Sequence, residues 1–213
     1  MRVSKYSLMP RPKSISNDAL LVIAKRHFLR SGFRASTSEM AREAGVSEAT
    51  IFKRFNTKRE LLRKAMNLPT CDVLEGVMDR VGKGDVREHL LEIGEGLLEF
   101  FMKLVPQLAC LSAMPGFQMR EMTPEGEPAP PVVIFRALSD YLDAEAIYRR
   151  IDARDSEVIS RAFIGALYNF AFFQYMGFNS RQRMERSHYV KELVTMIWNG
   201  IDPEGSPRER FRR

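Results

Sequence analysis

The sequence predicts an all-α protein that has an N-terminal three-helix helix-turn-helix domain and a larger C-terminal helical domain, with about nine helices in all. Apolar residues recur at helical spacing along the 213 residues, without sustained strand-like alternation or an internal repeat. Three helix-start signals lie within residues 36–62. Residues 1–66 hold 15 Lys and Arg against 5 Asp and Glu, a net charge of +10, whereas residues 67–207 hold 14 against 21, a net charge of −7.

These patterns divide the chain into a flexible basic arm (1–16), a helix-turn-helix domain (17–66), a helical domain (67–201) and a polar tail (202–213). The arm contains Arg11 and Lys13 among prolines, and we expect it to follow a phosphate backbone, enter a minor groove or remain a disordered leader. No apolar run approaches the roughly 20 residues of a membrane helix, and the start lacks a signal-peptide core. We therefore expect a cytoplasmic protein without membrane contact.

The first helix is expected from Asn17 or Asp18 to Ser31. A capping box at residues 36–39 then opens a second helix, and Gly45 supplies the left-handed turn after it. Ser47 is a fresh N-cap for a third helix, which places Ile51 and Phe55 inward. Two helices joined by a short turn with glycine form the helix-turn-helix arrangement, whose second helix enters the major groove of DNA.

A fourth helix is expected to begin at Lys58, after the N-cap Thr57, and to continue past Met66. The basic charge lies on the segment that carries the motif, and the rest of the chain is neutral to acidic. This asymmetry is typical of a DNA-binding head on a separate body. A merely solvated basic surface is the plainer interpretation.

The motif resembles that of the TetR family of transcriptional regulators over about residues 17–66. The residues that carry the resemblance are Gly32-Phe33, Ser36-Thr37, Ala41, Ala44-Gly45-Val46-Ser47, Thr50-Ile51-Phe52, Phe55, Lys58 and Leu61-Leu62. The family usually has Thr-Leu-Tyr at residues 50–52, so Phe52 keeps the ring and loses a hydroxyl that often touches a phosphate. Arg54 stands where the family often has His and can supply a compensating charge.

The predicted DNA contacts lie at helix starts and on the exposed side of the third helix. They are Ser36, Thr37, Ser47, Glu48, Ala49, Thr50, Phe52, Lys53, Arg54 and Lys58. Ala49 and Thr50 offer methyl groups to thymine, and Glu48 can accept from a cytosine amine. Lys53 and Arg54 can bond guanine or phosphate. The resemblance implies phosphate contacts for Thr37 and Lys58, and solvated surface is the alternative for each residue.

In the body, residues 85–104 predict an amphipathic helix, followed by a separate piece at 106–122. Two further segments are expected at 132–142 and 144–151, and two long helices over residues 155–177 and 180–200 close the chain.

The last two helices predict a four-helix dimer interface, which the resemblance also implies. The predicted interface residues are Phe163, Leu167, Phe170, Gln174, Tyr189, Leu193 and Ile197. The alternative is a C-terminal helix that is simply buried in its own chain.

The body is rich in Met and Phe, which adapt to apolar ligands. Candidate pocket residues are Phe100, Met102, Leu104, Leu108, Cys110, Met114, Phe117, Met119, Met122, Phe135, Phe163, Tyr168 and Phe172. Ordinary core is the alternative for each. The resemblance implies a small-molecule effector that releases DNA, and the composition favours a hydrophobic or cationic one.

The leading interpretation is a dimeric, ligand-responsive repressor that binds a palindromic operator. A constitutive DNA-binding regulator without a small ligand is the alternative. We find no paired nucleophile and base, no metal-ligand spacing and no phosphate loop in the sequence, so neither an enzyme nor a cofactor is predicted.

Overall fold

The computed structural model describes residues 15–123, 128, 130–178 and 184–201, and every regular element within them is helical. The α-helices of this part of the chain are α1 (Asn17–Ser31), α2 (Thr37–Ala44), α3 (Glu48–Phe55), α4 (Lys58–Ala65), α5 (Val86–Ser112), α6 (Pro130–Ile147), α7 (Ser156–Tyr175) and α8 (Arg186–Ile201). Short 3-10 turns lie at Gly32–Arg34, Val77–Arg80 and Met119–Met122. The all-α prediction is confirmed, with eight α-helices described where about nine were expected. Most of the predicted arm and the whole polar tail lie outside the described residues.

The chain forms two compact units, Met1–Asn67 and Leu68–Arg213. In the first unit α1 packs against α2 and α4, α2 against α3, and α3 against α4. The buried apolar residues of this unit include Leu20, Ala24, Phe28, Met40, Ala41, Ile51, Phe55, Leu61 and Leu62. The predicted extension of α4 past Met66 is wrong, because the helix ends at Ala65. Pro69 follows closely, and a proline disfavours the helical conformation of the residue before it.

The second unit is built around α5, which packs against α7 and α8, while α6 packs against α7. Its core includes Leu90, Ile93, Leu97, Phe101, Leu138, Tyr141, Leu167 and Val194. Gly94 lies where side chains of α7 and α8 pack tightly on α5, because a Cβ there would lie 2.8 Å from Val190 Cγ1 and 3.0 Å from Phe163 Cζ. None of the helices in the described part of the chain is long and apolar enough to span a bilayer.

Two predicted helix breaks are wrong. The first is at Pro106, which lies inside α5, so that this helix runs on to Ser112. The proline removes one backbone hydrogen bond, but Val105, Gln107 and Leu111 are buried around it, and this burial favours continuation of the helix. The second is near residue 143, where α6 continues because residues 144–146 are the good helix formers Ala-Glu-Ala.

Candidate nucleic-acid interface

The helix-turn-helix is fixed by caps that the sequence predicts. Ser36 Oγ accepts a hydrogen bond from the backbone N–H of Glu39 at 3.3 Å, and α2 begins directly after it. Gly45 ends α2 with φ 66° and ψ 28°, a left-handed conformation that glycine adopts without strain. Ser47 Oγ accepts from the N–H of Thr50 at 3.1 Å. The predicted turn and both caps are therefore confirmed, and they define where α3 begins.

The ten predicted DNA-contact residues differ in exposure. Exposed are Ser47, Glu48, Ala49 and Lys53; half-buried are Ser36, Thr50, Phe52, Arg54 and Lys58; buried is Thr37. The start of α3 and its next turn thus present a short exposed surface with one cation, Lys53. Contact of these side chains with DNA stays a prediction.

Thr37 and Glu48 contact each other. The Thr37 hydroxyl donates to the Glu48 carboxylate, and this hydrogen bond joins the first residue of α2 to the first residue of α3. The sequence predicts separate roles for them, a phosphate contact and a cytosine contact. No local rule pairs residues eleven positions apart across a turn, so this contact depends on the tertiary arrangement of the two helices.

Arg54 is also engaged within the unit. Its Nη1 donates to the backbone carbonyl of Ile15 at 2.7 Å and to Asn17 Oδ1 at 3.3 Å. These bonds tie the C-terminal part of α3 to the start of α1. The sequence predicts that the guanidinium reaches guanine or phosphate, and its Nη1 is committed elsewhere.

Lys58 is the first residue of α4, and its Nζ lies 5.2 Å from the centroid of the Phe33 ring. A cation over an aromatic face is attracted by the ring quadrupole, which restrains the side chain close to the helix N-terminus. The free N–H groups of that terminus favour an anion.

A polar contact that the sequence did not reveal joins α1 to α2. Glu43 binds Arg26 and also His27, whose Nε2 lies 2.7 Å from Glu43 Oε2. The hydrogen bond from His27, followed by the charge of Arg26, holds the pKa of Glu43 below its usual value. His27 itself is 7% exposed. An isolated His on an otherwise apolar helix face was the available signal.

The predicted dimer residues lie largely inside the second unit. Phe163, Leu167, Phe170 and Leu193 belong to its hydrophobic core and are at most 7% exposed, so they offer little surface to a second subunit. The reason is that these residues occupy the inward faces of α7 and α8, so this part of the prediction needs correction. Tyr189 and Ile197 are half-buried and Gln174 is exposed. Exposed positions along α7 include Val158, Ala162, Gly165, Tyr168, Asn169, Phe172 and Phe173, and the C-cap residue Met176 is exposed as well. The other exposed residues of the helix are Glu157, Arg161, Gln174 and Tyr175.

The predicted pocket residues do not share one environment. Buried are Phe100, Cys110, Met114 and Phe163; half-buried are Met102, Leu104, Leu108, Phe117 and Phe135; exposed are Met119, Tyr168 and Phe172. The Met122 side chain lies outside the described residues. Burial raises the pKa of the Cys110 thiol. The set therefore includes core residues and surface residues. Contact of any of them with an effector stays a prediction.

A buried polar cluster in the second unit was not predicted. Glu145 is fully buried, and its Oε2 accepts from Arg150 Nη1 at 3.0 Å and from the N–H of Gly82 at 3.4 Å. His89 Nδ1 lies 2.8 Å from the Tyr141 hydroxyl. Burial, and then the nearby Glu145 carboxylate, raise the pKa of Tyr141. The cluster ties α5 and α6 to the turn at Gly82.

A basic unit with a capped helix-turn-helix and an exposed second helix defines the class of helix-turn-helix DNA-binding proteins. Comparison with known proteins agrees. The profile of the family described as "Bacterial regulatory proteins, tetR family" matches residues 20–65. The HTH-type transcriptional regulator YvkB of Bacillus subtilis (strain 168) is 35% identical over 85 residues, which are 39% of this chain and 44% of that protein. The match thus spans less than half of this curated relative.

Solved structures share the fold along nearly the whole chain. A TetR-like transcriptional regulator from Rhodococcus sp. RHA1 superposes with a TM-score of 0.60 at 20% identity, over 89% of this chain and 97% of that one. NalD of Pseudomonas aeruginosa gives a TM-score of 0.57 at 16% identity, over 87% and 94% of the two chains. Residues 20–65 thus match the TetR family of bacterial regulatory proteins, and the fold of the described residues is that of solved TetR-like regulators.

Proposed function

We propose that the protein is a repressor that binds a palindromic operator as a dimer and is released from DNA by a small, hydrophobic molecule. The observation that carries the DNA-binding part is the exposed start of α3 in a unit of net charge +10. DNA phosphates attract this positive charge whatever the base sequence, whereas preference for one base sequence has to come from side chains that contact base edges. Exposed Ala49 and Lys53 and half-buried Thr50, in the first two turns of α3, are suited to the second task.

The dimer is supported by the exposed face of α7. Val158 is 58% exposed and Met176 is 48% exposed, although both are apolar, and Phe172 and Phe173 lie on the same face. At Gly165, between them, a Cβ would have no other atom within 4 Å, so a second helix can approach closely there. Exposed apolar faces of this kind are typical of association surfaces. A dimer places two recognition helices on one duplex, with half-sites about 34–36 Å apart or more.

Release from DNA by a small molecule is proposed from a protein that shares the fold and from the composition of the body. NalD, which shares the fold, is described as the secondary repressor of the MexAB-OprM multidrug efflux pump. The Met- and Phe-rich body of the present protein suits an apolar effector. A regulator without any small ligand is the second candidate. A melting-temperature screen of apolar compounds separates the two, since a ligand of the native state raises the melting temperature. A compound that releases DNA must lower the affinity of the protein for DNA. Bound DNA must then lower the affinity for the compound by the same factor.

The DNA-binding proposal is tested by selecting bound duplexes from random sequence with the purified protein at near-physiological salt. We expect an enriched palindrome. If binding is salt-sensitive but no sequence is enriched, sequence-specific regulation is wrong.

Variants divide the predicted contacts by role. Lys58→Ala is expected to weaken binding to the selected site and to random DNA equally, and to reduce the salt slope by about one unit. Thr50→Ala and Lys53→Ala are expected to change base preference, by about 1–3 kcal/mol at the affected base pair. Equal losses on both DNAs for all three variants would contradict this assignment.

The dimer is tested on the exposed face of α7. Val158→Glu and Phe172→Glu are expected to shift sedimentation from dimer to monomer without loss of helical signal. Val133→Glu is the matched control, because Val133 is an exposed valine (49%) on a different helix, α6. A wild type that sediments as a monomer at micromolar concentration refutes the dimer.

A further inference from the structure

One hydrogen bond ties two helix starts in the first unit. Thr37 is the first residue of α2, Glu48 is the first residue of α3, and the Thr37 hydroxyl donates to the Glu48 carboxylate. Thr37 is only 9% exposed, whereas Glu48 is exposed. The carboxylate thus reaches from the exposed start of α3 to the buried hydroxyl at the start of α2.

Neither residue caps its own helix. Ser36 caps α2 through the N–H of Glu39, and Ser47 caps α3 through the N–H of Thr50. The Thr37–Glu48 bond is consequently an additional constraint on how the two helices are placed relative to each other. A carboxylate in the first turn of α3 is also favoured by the helix dipole, which helps to hold it there.

The chemistry of the two groups limits what they can offer DNA. A threonine hydroxyl has one proton to donate, and a phosphate oxygen only accepts. While Thr37 donates to Glu48, it has no proton for a phosphate. The negative charge of Glu48 repels phosphates whatever the base sequence. The pair is therefore poorly suited to bind the backbone, although it lies beside the surface that is proposed to face DNA.

We propose that Glu48 is a positioning residue, which Thr37 holds so that the start of α3 presents Ala49, Thr50 and Lys53 to the base edges. Glu48 does not itself read a base. This inference rests on the proposed function, in which α3 enters the major groove. Recognition sites work when their side chains are held within about 0.5 Å of the productive geometry, so a bond that fixes the helix start affects several base contacts together.

The test is a double-mutant cycle measured on the selected operator and on a random duplex of the same length. Thr37→Val keeps the side-chain shape and removes the hydroxyl, and Glu48→Ala removes the carboxylate. Each variant is expected to lower the operator-to-random affinity ratio about tenfold, the effect of one hydrogen bond to a charged group. Both should flatten base preference at several positions of the half-site. The double variant should lose no more than either single variant.

Conservative variants and a charge control separate positioning from general effects. Thr37→Ser keeps the donor and Glu48→Gln keeps an acceptor, so both should retain the wild-type preferences, and E48Q should bind both DNAs more tightly. Glu39→Ala removes another exposed carboxylate from the first turn of α2 and should leave the ratio unchanged. Melting temperatures identify a variant that fails to fold. If T37V fails to fold, the comparison of E48A with E48Q decides whether Glu48 acts by positioning the start of α3.

Three results overturn the inference: a change of preference confined to one base pair per half-site in E48A, additive losses in the double variant, or an equal loss in E39A. A wild type without sequence preference refutes the proposed function, and the inference falls with it. If the wild type selects a site and T37V and E48A keep its operator-to-random ratio, only the inference is refuted.

Discussion

The two units use polar side chains of different exposure to connect their elements. In the second unit, Glu145 is fully buried between Arg150 and the backbone of Gly82. In the first unit, Glu43 connects α1 to α2 while 40% of its side chain remains exposed. Breaking a buried ion pair leaves an uncompensated charge, whereas exposed pairs contribute little. Removal of the buried Glu145 is therefore expected to destabilise the second unit more than removal of Glu43 destabilises the first.

Glu145→Ala is expected to have the largest effect on stability. It leaves Arg150 and the Gly82 N–H without the carboxylate, and we expect a loss of about 3–5 kcal/mol in the free energy of unfolding. Urea unfolding followed by circular dichroism measures it. Glu99→Ala is the control, because the side chains of the Glu99–Lys103 pair are 67% and 61% exposed, and its loss should leave the urea midpoint nearly unchanged. Equal shifts of the midpoint would remove the contrast between buried and exposed pairs.

Gly94→Ala is expected to destabilise the second unit by about 1–3 kcal/mol, the usual cost of overpacking a core. A methyl group there would press on Val190 and Phe163. Gly200→Ala in α8 is the matched control, because open space surrounds that position. It should be neutral or gain up to about 1 kcal/mol from helix propensity. Thermal unfolding of both variants provides the measurement, and a neutral Gly94→Ala would mean that the helices separate at little cost.

Arg54→Ala tests whether the first unit uses this arginine for its own structure. Loss of the bonds to Ile15 and Asn17 is expected to cost about 1–2 kcal/mol of unfolding free energy and to leave base preference unchanged. Lys53→Ala changes the exposed residue just before it. This variant should change base preference and leave the free energy of unfolding nearly unchanged. Sequence selection and melting temperature are measured on both variants. If Arg54→Ala changes base preference at one base pair, Arg54 contacts DNA as the sequence predicts.

The smallest expected effect concerns acid stability of the first unit. Because the folded state holds the pKa of Glu43 below its ordinary value of 4.5, its contribution is fully present above that pH and disappears as the pH falls through the lower folded value. Glu43→Gln should therefore flatten the fall of melting temperature below about pH 4.5. Glu39→Gln on the same helix is the control, and an identical flattening there would show that the contact with His27 is not responsible.

Local rules predict the first unit well. The caps at Ser36, Ser47 and Thr57 and the glycine turn at Gly45 each depend on a few neighbouring residues, and all four have the predicted conformation. The partner of Glu48 could not be predicted, because it depends on how α2 and α3 pack against each other across the turn.

In the second unit, helix packing that the sequence does not show likewise decides which residues belong to the core. Phe163 and Phe172 lie nine positions apart on α7 and look alike in sequence, yet the first is buried and the second exposed. Helical spacing places them on opposite faces of α7, and the packing of α5, α6 and α8 on that helix decides which face is buried. The predicted break at Pro106 is wrong for the same reason, since the local penalty of a proline is outweighed by burial that the sequence does not show.

The burial of the two cysteines has a consequence for labelling chemistry. Cys71 is half-buried and Cys110 is buried, and burial raises the pKa of both thiols. The thiolate is the nucleophile, so both native cysteines should react slowly with maleimides near neutral pH. A cysteine introduced at exposed Glu39 would then take a fluorophore selectively. A single dye on α2, beside the proposed DNA surface, would report DNA arrival in real time, without removal of the native thiols.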